Sequence, residues 1–123
     1  MKWIAILIVV AVVVLFLTLS KAGQISTKEA AEHIKNGALV IDVRTSGEFN
    51  SGHLTNAINI PLDEVAAVVP KKFPKKSEVL LLHCASGMRS GVAQKKLQGL
   101  GYTNAFNLGS YGRARQIAGQ PAS

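Results

Sequence analysis

Cysteine, acidic residues and aromatic residues are all scarce in this sequence. A single cysteine, Cys84, excludes a disulfide within the chain, and no cysteine–histidine group has the spacing of a structural zinc site. Seven acidic residues stand against fourteen basic ones, which gives a net charge of +7. That charge is compatible with an anionic substrate and does not require nucleic acid. The 123 residues suit one domain, because 101 remain once the apolar residues 1–22 are set aside.

Charge is absent from residues 3–19, an apolar run of 17 residues in which Thr18 carries the only hydroxyl group. As a helix this run would be about 26 Å long, the short end of what spans a membrane. We therefore predict that residues 1–22 form a transmembrane anchor. A secretory signal that is cleaved after Ala22 is the alternative, because Ser20 and Ala22 are small residues at the right spacing for such a cut.

Basic residues lie on both sides of the apolar run and leave its orientation open. The very short N-terminal tail favours a membrane-anchored domain that lies outside the cytoplasm. The alternatives are an exported domain released by cleavage and an anchored domain that faces the cytoplasm.

Strand and helix signals alternate along residues 23–115, the predicted soluble domain. Apolar runs predict strands at 39–43, 57–60, 79–83 and 105–108, and helical patterns occur at 27–36, 62–69 and 92–100. Residues 70–76 predict a basic loop that prolines interrupt. The alternation indicates an α/β fold with a mainly parallel sheet, in which ligands bind beyond the carboxyl ends of the strands. Residues 116–123 have little to pack and are predicted to be a disordered tail.

The segment from Cys84 to Arg89 joins a predicted strand to a predicted helix. A turn at this point directs successive backbone N–H groups inward, and the next helix adds the positive end of its dipole. Both features favour thiolate over thiol at Cys84 and lower its pKa. Gly87 permits the positive φ of such a turn, and Arg89 supplies a guanidinium for an anionic substrate.

Two independent motifs lie in the soluble part of the chain. The first is Cys-x-x-Gly-x-Arg, with Cys84, Gly87 and Arg89 at its fixed positions. The second comprises Asp42-Val43-Arg44, Glu48-Phe49, Gly52-His53-Leu54 and Ala57-Ile58-Asn59-Ile60-Pro61. Their order and spacing resemble those of the rhodanese family of sulfurtransferases. The resemblance covers about residues 23–115 and none of the apolar run.

The resemblance implies a rhodanese-like fold with a mainly parallel, five-stranded sheet flanked by helices. It also implies that the Cys84 thiolate attacks the outer sulfur of thiosulfate or a similar donor, releases sulfite and retains a persulfide. A thiophilic acceptor, cyanide in the assay, then removes that sulfur. The loop residues that would surround the transferred sulfur are Ala85, Ser86, Gly87, Met88 and Arg89.

The same resemblance implies no metal and no organic cofactor. The partners that it implies are a small anionic sulfur donor and a thiophilic acceptor. We also expect the soluble domain to be monomeric and to bind no nucleic acid.

Four further residues are predicted to support the site. Asp42 braces neighbouring loops, Arg44 pairs with Glu48, and His53 is a hydrogen bonder of its loop and not a base. Two departures from the family pattern concern the pocket rim and therefore the donor. Ala85 stands where a basic residue is common, and the family's late Gly-Gly is Gly109-Ser110 in this chain.

Two other functions compete with sulfur transfer. Phosphatases and arsenate reductases also use a cysteine, a loop and an arginine, but their loop is one residue longer than the four residues between Cys84 and Arg89. A non-catalytic, membrane-tethered binding module is the third candidate, and the presence of Cys84 argues against it.

Overall fold

The computed structural model describes the backbone of residues 2–120 and the side chains of residues 2–16 and 23–120. A 3₁₀ turn, Leu62–Glu64, precedes helix α4. The helices and strands, in chain order, are α1 (Lys2–Ala22), α2 (Thr27–Lys35), β1 (Leu39–Asp42), α3 (Ser46–Ser51), β2 (Ile58–Asn59), α4 (Val65–Lys72), β3 (Leu80–His83), α5 (Met88–Gly99), β4 (Ala105–Gly109) and α6 (Tyr111–Ile117).

The strands form one parallel sheet in the order β2-β1-β3-β4. The predicted α/β fold with a parallel sheet is confirmed, but the predicted number of five strands is wrong for the described residues, which form four. The segment before α2 contributes only a single parallel bridge, from Gln24 to Asn107. It cannot extend into a strand because Ser26 already caps α2 by accepting a hydrogen bond from the N–H of Glu29.

Helices cover both faces of the sheet and divide the core into two clusters. On one face, Val65 and Val69 of α4 and Leu97 of α5 pack in a cluster with Ile41 and Leu82 of the sheet. On the other face, Ala30 of α2 and Ala114 of α6 share a cluster with Leu81 and Leu108. Successive residues of β3 therefore face opposite layers, as the alternation of side chains along a strand requires.

The carboxyl ends of all four strands lie at the same edge of the sheet because every pair is parallel. β3 is a central strand, and all four of its residues are buried. The segment that follows His83 therefore starts in the middle of this edge, between the ends of β1 and β4. This placement brings distant parts of the sequence around Cys84.

Helix α4 is longer than the sequence predicted. The loop expected at 70–76 is wrong for residues 70–72, because α4 contains Pro70 and continues to Lys72. A proline inside a helix removes one backbone hydrogen bond. The burial of Val65 and Val69 holds α4 against the sheet, and the N–H of Phe73 closes the last turn on the carbonyl of Val69.

Helices α3 and α6 were not expected from apolar periodicity. Thr45 and Glu48 form a reciprocal capping box at the start of α3. Ser110 caps α6 by accepting from the N–H of Arg113. Part of the segment 116–123 belongs to α6, which ends at Ile117, and the Gln120 side chain accepts from the N–H of Thr55 at 2.8 Å. Residues 121–123 lie outside the described residues.

Helix α1 exposes large apolar side chains along its described part, including Trp3 (78% exposed) and Phe16 (66%). Among the residues described, no helix is long and apolar enough to cross a membrane. The predicted transmembrane helix over residues 3–19 is therefore not supported, and the side chains of 17–22 lie outside the described residues.

We predict that Leu82→Ala lowers the free energy of unfolding by about 2–5 kcal/mol, because it leaves a cavity between β3 and α5. Leu82 has no exposed surface, whereas Leu100 is 41% exposed and provides the matched control for the same substitution. Leu100→Ala should change the free energy by less than about 1 kcal/mol. Urea unfolding of the full chain measures both variants, and equal losses would contradict the assignment of the core.

Candidate active site

Cys84 follows β3 directly and has no exposed surface. The N–H of Gly87 donates to its Sγ at 3.0 Å, and the hydroxyl of Ser90 lies 3.5 Å from the same atom. Gly87 has a φ of 97°, in the left-handed region, and a Cβ there would lie 3.3 Å from the Cα of Gly109. Both constraints favour glycine at this position. The loop therefore curls so that its donors face the sulfur.

The pKa of Cys84 is lowered by this arrangement. Burial is the largest influence and opposes the thiolate. Hydrogen bonds from the Ser90 hydroxyl and from the backbone N–H groups of Ser90, Gly87 and Ser86 together outweigh it. The arrangement thus stabilises a charged sulfur nucleophile inside the fold.

Asn107, in β4, holds the loop in its curled form. Its Nδ2 donates to the carbonyl of Gly87 at 3.0 Å, and its Oδ1 accepts from Ser90 Oγ at 2.7 Å and from the N–H of Gly109 at 2.9 Å. Neither Asn107 nor Ser90 is among the site residues predicted from the sequence. The signal for Asn107 is a polar residue within an apolar strand run. The signal for Ser90 is its place on the buried face of α5 with Ala93 and Leu97.

Arg89 forms a two-pronged ion pair with Glu48 at the rim of the site. Nη1 and Nη2 lie 2.7 Å and 3.0 Å from the two carboxylate oxygens, and about a third of each side chain is exposed. The hydrogen bond from Arg89 is the main reason that the pKa of Glu48 falls to about 2, with further bonds from Thr45. The pKa of Arg89 is raised, chiefly by Glu48 and also by interaction with Cys84.

The predicted pairing of Arg44 with Glu48 is wrong, because the capping box of α3 turns Glu48 toward Thr45 and Arg89. Arg44 is bound instead by Asp42, with Nε 3.0 Å from Oδ1 and Nη2 2.7 Å from Oδ2. This partner raises the pKa of Arg44. Nη2 also donates to the carbonyl of Gly52 at 2.7 Å, so the pair ties the end of β1 to the loop after α3.

The two histidines near the motifs lie away from the thiol. His53 stacks on Phe49 at 3.7 Å between ring centroids, and its Nδ1 is 2.9 Å from the Phe49 carbonyl oxygen. The fully buried His83 places Nδ1 3.2 Å from the carbonyl oxygen of Cys84 and Nε2 3.6 Å from Asp42 Oδ2. Burial lowers the pKa of His83. Among the described residues, the hydrogen bonds to the sulfur come from Gly87 and Ser90 and not from either imidazole.

The candidate site residues from the sequence thus form two layers. Cys84 and the loop from Ala85 to Arg89 lie at the sheet edge with Glu48, while Asp42 and Arg44 brace the structure beside them. Ala85, Ser86 and Met88 are the exposed residues of this loop. Within 2–16 and 23–120, no group of three His, Cys, Asp or Glu side chains could hold a metal ion.

Comparison with known proteins agrees with this geometry. The family model of the Rhodanese-like domain matches residues 26–112. The thiosulfate sulfurtransferase PspE of Escherichia coli is 38% identical over 80 residues, which cover 65% of this chain and 71% of PspE.

Solved structures give the same likeness. The human single-domain sulfurtransferase TSTD1 superposes with a TM-score of 0.67 at 29% identity, over 76% of this chain and 96% of that one. A rhodanese with anions from E. coli gives a TM-score of 0.61 at 32% identity, over 69% of this chain and 95% of that one. The site geometry, the family match and these likenesses agree, and the chain belongs to the rhodanese-like domain family.

Proposed function

We propose that this protein moves a sulfane sulfur from thiosulfate or a similar donor to a thiophilic acceptor, through a persulfide on Cys84. The chain is a transferase of the thiosulfate sulfurtransferase type, the activity for which its relative PspE is named. The assignment rests on two contacts to the sulfur of Cys84 at the start of α5. The N–H of Gly87 donates to it, and the hydroxyl of Ser90 lies beside it. Nothing in the described loop favours a phosphatase or an arsenate reductase.

The proposed reaction has two displacement steps at sulfur. The Cys84 thiolate attacks the outer sulfur of thiosulfate, the sulfur–sulfur bond of the donor breaks, and sulfite leaves with the bonding electrons. The acceptor then attacks the terminal sulfur of the persulfide. The bond to Sγ breaks, its electron pair returns to Sγ, and the thiolate is restored. With cyanide as acceptor the product is thiocyanate.

Arg89 is the group that we assign to the anionic end of the donor. Glu48 binds Nη1 and Nη2 and fixes the plane of the guanidinium, which leaves its other N–H groups for a second acceptor. Its interaction with Cys84 supports a position near the incoming sulfur. Glu48 therefore orients Arg89, and its carboxylate offsets the positive charge of the guanidinium.

We predict that thiosulfate adds the mass of one sulfur atom to the protein and that cyanide removes it. Cys84 is the only cysteine, so intact mass assigns the sulfur without peptide mapping. Cys84→Ser should gain no mass and form no thiocyanate above the uncatalysed rate, while its unfolding midpoint stays near that of the wild type. A variant that still formed thiocyanate at the wild-type rate would refute the assignment.

We predict that Ser90→Ala raises the pKa of Cys84, because a hydrogen bond that stabilises the thiolate is lost. At neutral pH less thiolate then forms, so the rising limb of the pH–rate profile shifts to higher pH. Ultraviolet titration of the thiolate measures the pKa directly. Ser90→Thr keeps the hydroxyl, so the pKa of Cys84 in this variant should be close to that of the wild type. Ser77→Ala is the control, because Ser77 lies in a turn far from the site. An unchanged pKa in Ser90→Ala would contradict the role of this hydroxyl.

We further propose that residues 3–19 hold the protein to a membrane with the folded domain outside the cytoplasm. The support is the lack of charge over 17 residues together with the exposed apolar side chains of α1, such as Trp3 and Phe16. Cleavage after Ala22 is the competing outcome.

The full chain should sediment with membranes and resist washing with high salt and with carbonate, because salt screens charges but does not weaken apolar burial. A chain that starts at Gly23 should remain in the supernatant and keep its sulfur transfer. Recovery of the intact full chain in the supernatant without detergent would contradict the anchor. Recovery of a mature chain that begins at Gly23 would establish the cleaved signal instead.

A further inference from the structure

The imidazole of His83 is buried beside the reactive loop, and no step above uses it. His83 has no exposed surface, and its Nδ1 lies 3.2 Å from the carbonyl oxygen of Cys84. Its Nε2 is the only buried side-chain nitrogen or oxygen without a hydrogen-bond partner among the residues that the structure describes. We propose that His83 is a positioning residue, which holds the peptide between Cys84 and Ala85 so that the loop turns its N–H groups toward the sulfur. The inference rests on the proposed sulfur transfer, because it concerns the thiolate that performs that reaction.

The two neighbours of the imidazole decide which nitrogen carries its hydrogen. The carbonyl of Cys84 can only accept, and its distance from Nδ1 is that of a hydrogen bond. Nε2 is 3.6 Å from Oδ2 of Asp42, which is too far for a hydrogen bond, and Asp42 already accepts from the N–H, Nε and Nη2 of Arg44. Nδ1 therefore donates to Cys84. Burial lowers the pKa of His83, which keeps the ring neutral.

His83 and Cys84 face opposite sides of the sheet, as successive residues along a strand do. The ring of His83 lies 5.7 Å from the ring of Tyr111, in α6, between ring centroids. Cys84 packs on the other side, in a cluster with Leu97 of α5. A carbonyl of Cys84 that points to His83 therefore points away from the side on which the sulfur lies.

The orientation of this carbonyl also sets the direction of the next N–H group. In a trans peptide the carbonyl and the N–H point in opposite directions, so the N–H of Ala85 is turned toward the side of the sulfur. The following peptide repeats the arrangement, because the carbonyl of Ala85 accepts from the N–H of Tyr111 at 3.3 Å. Its own N–H, that of Ser86, is among the groups that lower the pKa of Cys84. His83 and Tyr111 thus hold two consecutive peptides from the side opposite the sulfur.

Two amide variants separate the two nitrogens of the imidazole. Asparagine places an N–H group near the position of Nδ1, whereas glutamine places one near the position of Nε2. In His83→Asn we expect the Cys84 pKa and the single-turnover release of sulfite from thiosulfate to stay close to those of the wild type. His83→Gln and His83→Leu should raise the Cys84 pKa and slow sulfite release at neutral pH by about threefold to tenfold, the effect of one lost hydrogen bond. Ultraviolet titration of the thiolate measures the pKa in each full-length variant.

His33→Leu is the matched control and should change neither quantity, because His33 lies in α2 and lines a separate cleft with Glu78 and Val79, before β3. If His83→Leu does not fold, the comparison of the two amides decides. Equal values in His83→Asn and His83→Gln, or a larger loss in the asparagine variant, would overturn the proposal. Absence of sulfite release by the wild type would refute the proposed function instead, and the thiolate titration would still test His83.

Discussion

The hydrogen bond from the Gly87 N–H to the sulfur of Cys84 is the contact on which the site depends. It forms only if the loop turns back within three residues, which requires the left-handed backbone of Gly87. Asn107 then holds the carbonyl of Gly87, and Ser90 adds its hydroxyl from the first turn of α5. A larger residue at position 87 would meet Gly109, so the loop and the adjacent strand end constrain each other.

Two arginine–carboxylate pairs lie near the site, and they differ in burial. Asp42 and Arg44 are both buried, and their pair ties the end of β1 to the carbonyl of Gly52. The Glu48–Arg89 pair is partly exposed and lies beside the thiol. Removing one member of a buried pair leaves an unpaired charge, which is costly, whereas an exposed pair exchanges partners at little cost. The exposed pair is therefore the one that can rearrange at little cost.

The strands and the reactive loop could be predicted from the sequence because each is a local signal. Continuous apolar runs mark β1 and β3, and Cys84 follows one of them directly. The ion-pair partner of Glu48 could not be predicted from local sequence. Arg44 is four positions away, whereas Arg89, its partner in the fold, is 41 positions away. Asn107 reaches the loop only because β4 pairs with β3, and no local sequence pattern predicts that pairing.

Burial and hydrogen bonding oppose each other at Cys84, and persulfide formation changes the balance. In the free enzyme the charge sits on a sulfur with no exposed surface, so burial works against the thiolate. In the proposed persulfide the charge moves about 2 Å from Sγ, a normal sulfur–sulfur bond length, onto the terminal sulfur. The loop around that sulfur includes the exposed residues Ala85, Ser86 and Met88. A terminal sulfur on their side of Cys84 would relieve part of the burial cost that opposes the thiolate.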